Sequence, residues 1–166
     1  MNPMTITIII CIIAIADLRL AEAASRIYVP EDYIVNKHNR VRGEVYPPAR
    51  NMPAVRWSAR AAKLAQNNAY SCVFGHEQNG CGENLAYFSG DSGSWPQALA
   101  LWANEKSSFT YGGHNNFNDV GHYTQMVSER STGVGCASAS CDGWEYYVCS
   151  YCPAGNFNDW SRPYRT

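Results

Sequence analysis

The sequence predicts one domain of mixed helix and strand, of the α+β or the α/β class. Three segments with helical periodicity precede two segments of strand character, an order typical of such domains. Hydrophobic residues make up 46% of the 166 residues, which is enough for a packed core. Because no repeat, low-complexity tract or charged linker divides the chain, a single domain accounts for residues 24–166.

The first 23 residues have the features of a secretory signal peptide. Ile6 to Ala16 is an apolar run too short to cross a bilayer, and Ala21-Glu22-Ala23 matches a small-x-small cleavage site. We therefore expect cleavage after Ala23 and a secreted, extracellular protein. A retained membrane anchor is the alternative.

The first predicted helix begins at Pro30, since proline suits the first turn of a helix. Its inner face carries Ile34, His38 and Val41 at helical spacing, so we expect His38 to be a satisfied packing residue. Three prolines then make residues 46–53 a loop.

Two further helices are predicted over residues 58–71 and 94–109, each beginning at a serine that can cap its first turn. On the later helix, Glu105 follows Trp102 by three residues and lies beside the apolar stripe. A carboxylate in that position costs free energy unless another group pairs with it. We therefore predict a partner for Glu105.

Residues 132–139 and 145–151 are predicted to form two strands, joined by a hairpin at Cys141-Asp142-Gly143. Glycine and asparagine make residues 112–116 a loop, and we expect His114 within it to be solvated. The order of helices before strands completes the mixed fold class.

Charge excludes some classes of function. The 13 basic and 14 acidic residues nearly balance, and removal of residues 1–23 makes the two numbers equal. A nucleic-acid-binding protein needs a basic face that displaces counterions, which a balanced charge does not favour. An anionic membrane attracts a polybasic tract, and the sequence has no such tract. We therefore expect neither nucleic-acid binding nor stable membrane insertion.

The cysteines predict three disulfides. Loss of Cys11 with the leader leaves six cysteines in an oxidising compartment, and the sequence alone does not choose their pairing. Zinc-binding thiolates are the alternative, because Cys149-Ser-Tyr-Cys152 has the two-residue gap of such a pair. Cys136 and Cys141 do not repeat that gap.

Four residues at wide intervals suggest chemistry: His76, Glu83, Glu105 and His122. Neutral imidazole is a good ligand for zinc, and a carboxylate can add a ligand or hold a bound water. Gathered by folding, they would line a cleft for Zn²⁺ or another divalent cation, which acid would release because protons compete for the imidazole lone pairs.

Two alternatives to metal binding remain for these four residues. They can form a hydrogen-bonded polar cluster that binds nothing tightly. They can also serve a metal-dependent, protease-like hydrolase, with a glutamate as the base. Because the chain has neither a His-Glu-x-x-His nor a Gly-x-Ser-x-Gly motif, no residue is assigned a catalytic role.

Several short motifs resemble those of the CAP superfamily, which includes cysteine-rich secretory proteins, venom allergens and plant pathogenesis-related proteins. The most specific are Gly82-Glu83-Asn84-Leu85-Ala86, Gly121-His122-Tyr123-Thr124-Gln125 and the segment 146–157. His38-Asn39 with Arg42, and the segment 48–58, match its earlier signatures. The resemblance covers about residues 33–163.

This resemblance implies a three-layer α-β-α sandwich, with the four His and Glu residues lining one cleft. It also implies an extracellular binding, signalling or defence module that acts on a protein receptor or a sterol or fatty-acid ligand. Tyr87-Phe88 and Tyr111, beside glycines, are candidate contact residues, although such aromatics often fill the core instead. The implied disulfides are Cys72–Cys141, Cys81–Cys152 and Cys136–Cys149.

The chain departs from the family at one core position. Ser128 stands two residues after Met126, where the family carries a tryptophan. We expect either a loss of stability or another aromatic side chain in that space, with Trp144 and Trp160 as the candidates.

Overall fold

The computed structural model describes residues 25–156 and 159–166. The predicted signal peptide, residues 1–23, lies outside the described residues. In the described part of the chain, no helix combines the length and apolar composition that a bilayer crossing needs.

A five-stranded sheet forms the middle layer. Its strands pair in the order β1-β4-β5-β3 with antiparallel neighbours, and β2 adds to β4 in parallel. The strands are β1 (Ser25–Arg26), β2 (Arg56–Trp57), β3 (Gly82–Ser89), β4 (Gly133–Cys141) and β5 (Trp144–Cys152).

The predicted hairpin between β4 and β5 is confirmed. Asp142 and Gly143 both have positive φ, 44° and 82°, as a two-residue turn with φ > 0 at both central positions requires. Residues 83–88 interrupt a glycine-rich irregular segment and carry no predicted helix or strand. They belong to β3, which pairs with β5 along its whole length.

Among the residues that the structure describes, four α-helices pack on the sheet, and three of them agree with the predicted helices. They are α1 (Glu31–Gly43), α2 (Ala59–Ser71), α3 (Trp95–Asn104) and α4 (Phe117–Met126). The serine caps are confirmed, since Ser58 accepts from the Ala61 N–H and Ser94 from the Gln97 N–H. The predicted end of the third helix was wrong: α3 ends at Asn104, and a 3-10 turn continues to Ser108.

The helix α4 was missed, although its apolar positions have helical spacing. The helical signal in the sequence is weak, because the segment has only 10 residues and carries Gly121 in its middle. The glycine has a packing reason, because a Cβ at this position would lie 3.1 Å from the Phe117 ring. Asn116 caps the helix by accepting from the Asn118 N–H.

Two hydrophobic clusters on opposite faces of the sheet confirm the α+β fold with three layers. One cluster joins α1, α3 and α4 to the β5 face that carries Tyr147 and Tyr151. The other joins the alanines of α2 to the opposite β5 face, which carries Tyr146 and Val148. Alternate residues of one strand therefore enter different cores.

The three disulfides pair as the resemblance implied: Cys72–Cys141, Cys81–Cys152 and Cys136–Cys149. The zinc-thiolate alternative is therefore wrong. Two of the crosslinks span 69 and 71 residues, and the third spans 13 residues between the adjacent strands β4 and β5. The longer two join the α2–β3 connection to opposite ends of the β4–β5 hairpin.

Two buried polar residues of α1 organise the core. His38 is fully buried, with hydrogen bonds of 2.8 Å between Nδ1 and the Ile34 carbonyl and between Nε2 and the Tyr151 hydroxyl. The prediction of a satisfied packing histidine is confirmed. Arg42 donates five hydrogen bonds to carbonyls, and burial lowers its pKa to about 10, a shift that the nearby Tyr151 partly offsets. These carbonyls belong to Pro53, Met126, Ser128 and Ser131.

Neither candidate tryptophan compensates for Ser128. Trp144 is 42% exposed and Trp160 is 38% exposed, so both rings lie at the surface. Ser128 is buried against the Gly155 backbone, where an added Cβ would lie 2.7 Å from the serine Cβ. The expectation of a replacement from either tryptophan is therefore wrong, because the backbone itself approaches the serine.

Candidate functional site

A cleft of about 180 Å³ lies where the start of β3 faces α4. Three of the four predicted residues line it: His76, Glu83 and His122. Glu105 is not among the lining residues, because it lies behind His122 and contacts its ring. The remaining lining residues are Asn84, Phe117, Asn118, Gly121 and Asn156.

Glu105 fixes His122 from behind. Its Oε1 lies 2.5 Å from the His122 Nδ1, and its Oε2 accepts the backbone N–H groups of His122 at 2.8 Å and Tyr123 at 3.0 Å. The prediction of a partner for Glu105 is confirmed. The carboxylate holds the proton on Nδ1, which leaves Nε2 with a lone pair for a ligand.

Two asparagines hold the backbone on either side of this contact. Asn84 donates from Nδ2 to the His122 carbonyl at 3.0 Å, and Asn156 donates from Nδ2 to the Gly121 carbonyl at 2.8 Å. The indole of Trp102 stacks on the His122 ring at a centroid distance of 6.2 Å. No local sequence signal marks the role of these asparagines, because their partners are backbone groups far away in the chain.

Glu83 forms the second histidine–glutamate pair. Its side chain is only 1% exposed, and it accepts from the Glu77 N–H at 2.8 Å and from Asn79 Nδ2 at 3.1 Å. Asn68 Nδ2 approaches both oxygens, and the His76 Nδ1 lies 3.6 Å from Oε2. His76 itself is 60% exposed.

Glu83 is held as a carboxylate. Burial alone would raise its pKa, but the nearby His76 ring and the hydrogen bonds from the Glu77 N–H, Asn68 and Asn79 outweigh burial and lower the pKa below the ordinary value. Glu83 is therefore a fixed negative charge at the base of the cleft.

The site consists of two His–Glu pairs rather than four converging ligands. Within residues 25–156 and 159–166, no three His, Cys, Asp or Glu side chains lie close enough together to form a metal site as they stand. Each imidazole meets its glutamate through Nδ1, the arrangement in which outer carboxylates orient metal-binding histidines. The Nε2 atoms of His76 and His122 are therefore the candidate ligands for a cation, with the carboxylates at the Nδ1 side of each ring.

Aromatic side chains flank the cleft and the neighbouring sheet edge. Phe117 lines the cleft, is 45% exposed and packs on Trp160 with a centroid distance of 5.1 Å. At the far end of β3, Phe74, Tyr87 and Trp144 contact one another and are 45%, 58% and 42% exposed. We refer to these three residues as the aromatic cluster.

The other candidate residues divide between surface and core. Tyr87 is exposed and stays a candidate contact residue, whereas Phe88 and Tyr111 pack partly buried against the core. His114 is exposed and lines a separate groove with Trp160, which confirms the prediction of a solvated loop histidine.

Comparison with known proteins identifies the family. A family model described as CAP, the cysteine-rich secretory protein family, matches residues 35–151. The chain belongs to this family. As a CAP-domain protein it is extracellular, which agrees with its three disulfides.

Two curated mammalian members are similar over most of the CAP domain. Cysteine-rich secretory protein 2 of Cavia porcellus is 45% identical over 139 residues, covering 76% of this chain and 57% of that protein. Cysteine-rich secretory protein 3 of Homo sapiens is 46% identical over 137 residues, covering 75% of this chain and 56% of that protein. The chain thus spans less than two thirds of the length of these relatives.

Solved CAP structures share the fold. A crystal structure of NaASP2 with Zn²⁺ matches with a TM-score of 0.73 and 29% identity, covering 87% of this chain and 88% of that one. Venom allergen-like protein 4 of Schistosoma mansoni matches with a TM-score of 0.70 and 24% identity, covering 84% and 96%. The second similarity bears on the fold alone.

Proposed function

We propose that this CAP-domain protein acts by binding, and that its cleft holds a divalent cation, Zn²⁺ in the first place. The observation that carries this proposal is the pair of imidazoles at one cleft, each with a glutamate at Nδ1. His76 and His122 would supply Nε2 ligands, while Glu83 and Glu105 would orient the rings and balance the charge.

A bound cation would give the cleft a positive charge and open coordination positions for an oxygen ligand of a partner. The protein's own residues prepare for this, because Glu105 and Asn84 fix His122 before any ligand arrives. His76 is exposed and has room to adjust toward a cation. The structure of NaASP2 with Zn²⁺ supports the proposal through its similarity to this chain.

Calorimetric zinc titration of the disulfide-bonded, chelator-treated protein tests the proposal. We expect saturable binding that weakens at least about tenfold in His76→Ala and in His122→Ala, since each variant removes one of two ligands. His114→Ala is the matched control, because this histidine is exposed and lies outside the cleft. Equal binding in all three variants would contradict the proposal.

The exposed aromatic side chains support binding of an apolar ligand or of a protein receptor. Phe117 places an exposed ring on the wall of the cleft, and the aromatic cluster adds a second apolar patch. A sterol or fatty acid with its polar end at the cleft would use the first, and a protein receptor could use either. Saturable uptake that Phe117→Ala reduces would support the lipid ligand, and no saturable uptake would leave only the receptor.

Binding takes precedence over the alternative of a metal-dependent hydrolase. A general base must be free to take a proton from water, but Glu83 and Glu105 are each already bonded to several donors. A peptidase assay with added zinc, with Glu83→Ala for comparison, tests this choice. Zinc-dependent cleavage that the substitution abolishes would favour the hydrolase.

A further inference from the structure

Four arginines line a series of adjoining grooves outside the cleft. Arg50 and Arg165 line the first groove, Arg165 and Arg130 line the second, and Arg130 and Arg162 line the third. The grooves lie between the loop after α1, the turn after α4 and the C-terminal segment. We refer to these four residues as the arginine surface.

Contacts within the protein hold parts of the arginine surface in place. The Arg50 N–H donates to the Arg165 carbonyl at 2.8 Å, which ties the loop to the C-terminal segment. Glu129 accepts from the Arg165 N–H at 3.0 Å and from its Nε at 2.7 Å. Because Arg165 pairs through Nε, its two terminal nitrogens remain available to bind an anion in a bidentate manner.

The two carboxylates on this surface do not cancel its charge. Both oxygens of Glu129 face Arg165, and Asp159 accepts from Ser161 and from Arg162 Nη1. The described lining of the three grooves therefore contains four guanidinium groups and two carboxylates, an excess of positive charge. The excess is local, since the whole chain has a net charge of −1.

The lining of the grooves favours a polyanion over a folded protein partner. Apart from the prolines Pro53 and Pro163, the described lining residues are polar or charged, with no aromatic or aliphatic anchor. Protein interfaces usually have an apolar or aromatic centre. Successive cationic grooves suit an extended chain with repeated anionic groups instead.

We propose that the arginine surface binds a sulfated polysaccharide of the extracellular space. Sulfate and carboxylate groups along the chain would each meet a guanidinium group, and release of counterions from the polymer would drive binding. The third groove shares Asn156 with the His–Glu cleft, but none of the four arginines lines that cleft, so the proposal does not depend on metal binding.

Calorimetric titration with a heparin-derived dodecasaccharide tests the proposal. We expect saturable binding that weakens as salt rises, and a loss of about fivefold in affinity in Arg50→Ala, with the salt dependence reduced by about one ion. Arg162→Ala gives a second variant at the far groove. Arg60→Ala is the matched control, because it removes an exposed arginine of α2 that lines none of these grooves.

Two comparison ligands identify the chemistry of the partner. The fully desulfated oligosaccharide is expected not to bind, and a polyglutamate peptide is expected to bind more weakly than the sulfated chain. The proposal is overturned if the sulfated chain does not bind at low salt, or if Arg60→Ala weakens binding as much as Arg50→Ala does. Equal or tighter binding of polyglutamate would also overturn it, by making an acidic peptide the partner.

Discussion

At the scale of single residues, the orientation of His122 depends on partners from distant parts of the chain. Glu105 contacts its ring and its N–H, Asn84 binds its carbonyl, and Trp102 stacks on its face. These contacts restrict the motion of the ring and of its backbone, so the imidazole is positioned before any ligand binds. The site therefore derives its geometry from buried polar contacts.

The variant Glu105→Gln tests this positioning. An amide offers one oxygen and one NH₂ group, so it cannot accept from the His122 ring and from the N–H groups of His122 and Tyr123 as the two carboxylate oxygens do. We expect the free energy of unfolding to fall by about 2 kcal/mol. Chemical denaturation measures it, with the exposed Glu77→Gln as control. A loss close to that of the control would show that Glu105 does not hold α4.

His38 gives the stability a defined pH dependence. Burial, only partly offset by its hydrogen bond to the Ile34 carbonyl, lowers its pKa from 6.5 to about 4. As the pH falls through 6.5, the unfolded chain takes up a proton that the folded chain refuses. Stability is therefore lost between about pH 6.5 and pH 4, by about 3 kcal/mol in total, and no further below that range.

Replacement of His38 removes this dependence. In His38→Gln, we expect the free energy of unfolding to decrease less between pH 7 and pH 4 than in the native protein, whatever its value at neutral pH. Denaturation curves at several pH values measure the slope, and His114→Gln, which changes an exposed histidine, should retain it. Identical slopes in the native protein and His38→Gln would disprove the assignment.

At the scale of secondary structure elements, the contact between α2 and β4 depends on the absence of a side chain. A Cβ on Gly135 would lie 2.1 Å from the Ala62 nitrogen and 2.5 Å from the Ser58 carbonyl oxygen. Both obstacles are backbone atoms, which cannot rotate away as a side chain can. The helix therefore approaches the strand through a glycine on one side and alanines on the other.

The variant Gly135→Ala should accordingly destabilise the protein by about 3 kcal/mol, because the first turn of α2 must move away from the sheet. Thermal and chemical denaturation measure the loss. The matched control is Gly43→Ala, where an added Cβ meets no atom within 4 Å. If both substitutions had the same small effect, the close approach of α2 to β4 would not matter for stability.

Contacts between elements also explain why the sequence did not predict α4. Its peptide groups bind side chains from other elements, including Glu105, Asn84, Asn156 and Arg42. Local propensity is weak over these 10 residues, and tertiary contacts supply what the local sequence lacks. The predicted helices α1, α2 and α3, by contrast, carry apolar stripes or caps that act within the segment.

At the scale of the whole molecule, disulfides enclose the segment that presents His76. Cys72 joins it to Cys141 at the end of β4, and Cys81 joins it to Cys152 at the end of β5. The irregular segment between them is therefore tethered at both ends. This explains how a part of the chain without helix or strand can contribute to a site.

Removing one disulfide at a time tests whether that disulfide contributes to stability alone or also to the formation of the site. We expect Cys81→Ala with Cys152→Ala to reduce the free energy of unfolding by about 4 kcal/mol and to weaken zinc binding as well, because Cys81 lies two residues before Glu83. Cys136→Ala with Cys149→Ala removes a disulfide that closes a shorter loop. We therefore expect the free energy of unfolding to fall by about 3 kcal/mol from loop entropy, while zinc binding should persist. Undiminished zinc affinity in the first variant would contradict the role of the tether.

The sequence by itself determined the fold class, the three helices with strong local signals, the β4–β5 hairpin and, through its motifs, the family. The cysteine pairs were implied by the family resemblance and not by the spacing of the cysteines. These properties depend on periodicity, caps and short motifs, which lie within one stretch of chain. Only the tertiary structure decided that Glu105 lies behind His122, that α4 is a helix and that four arginines share one surface. Such contacts depend on sheet register and packing between distant segments, because side-chain partners are chosen by distance in space and not by distance along the chain.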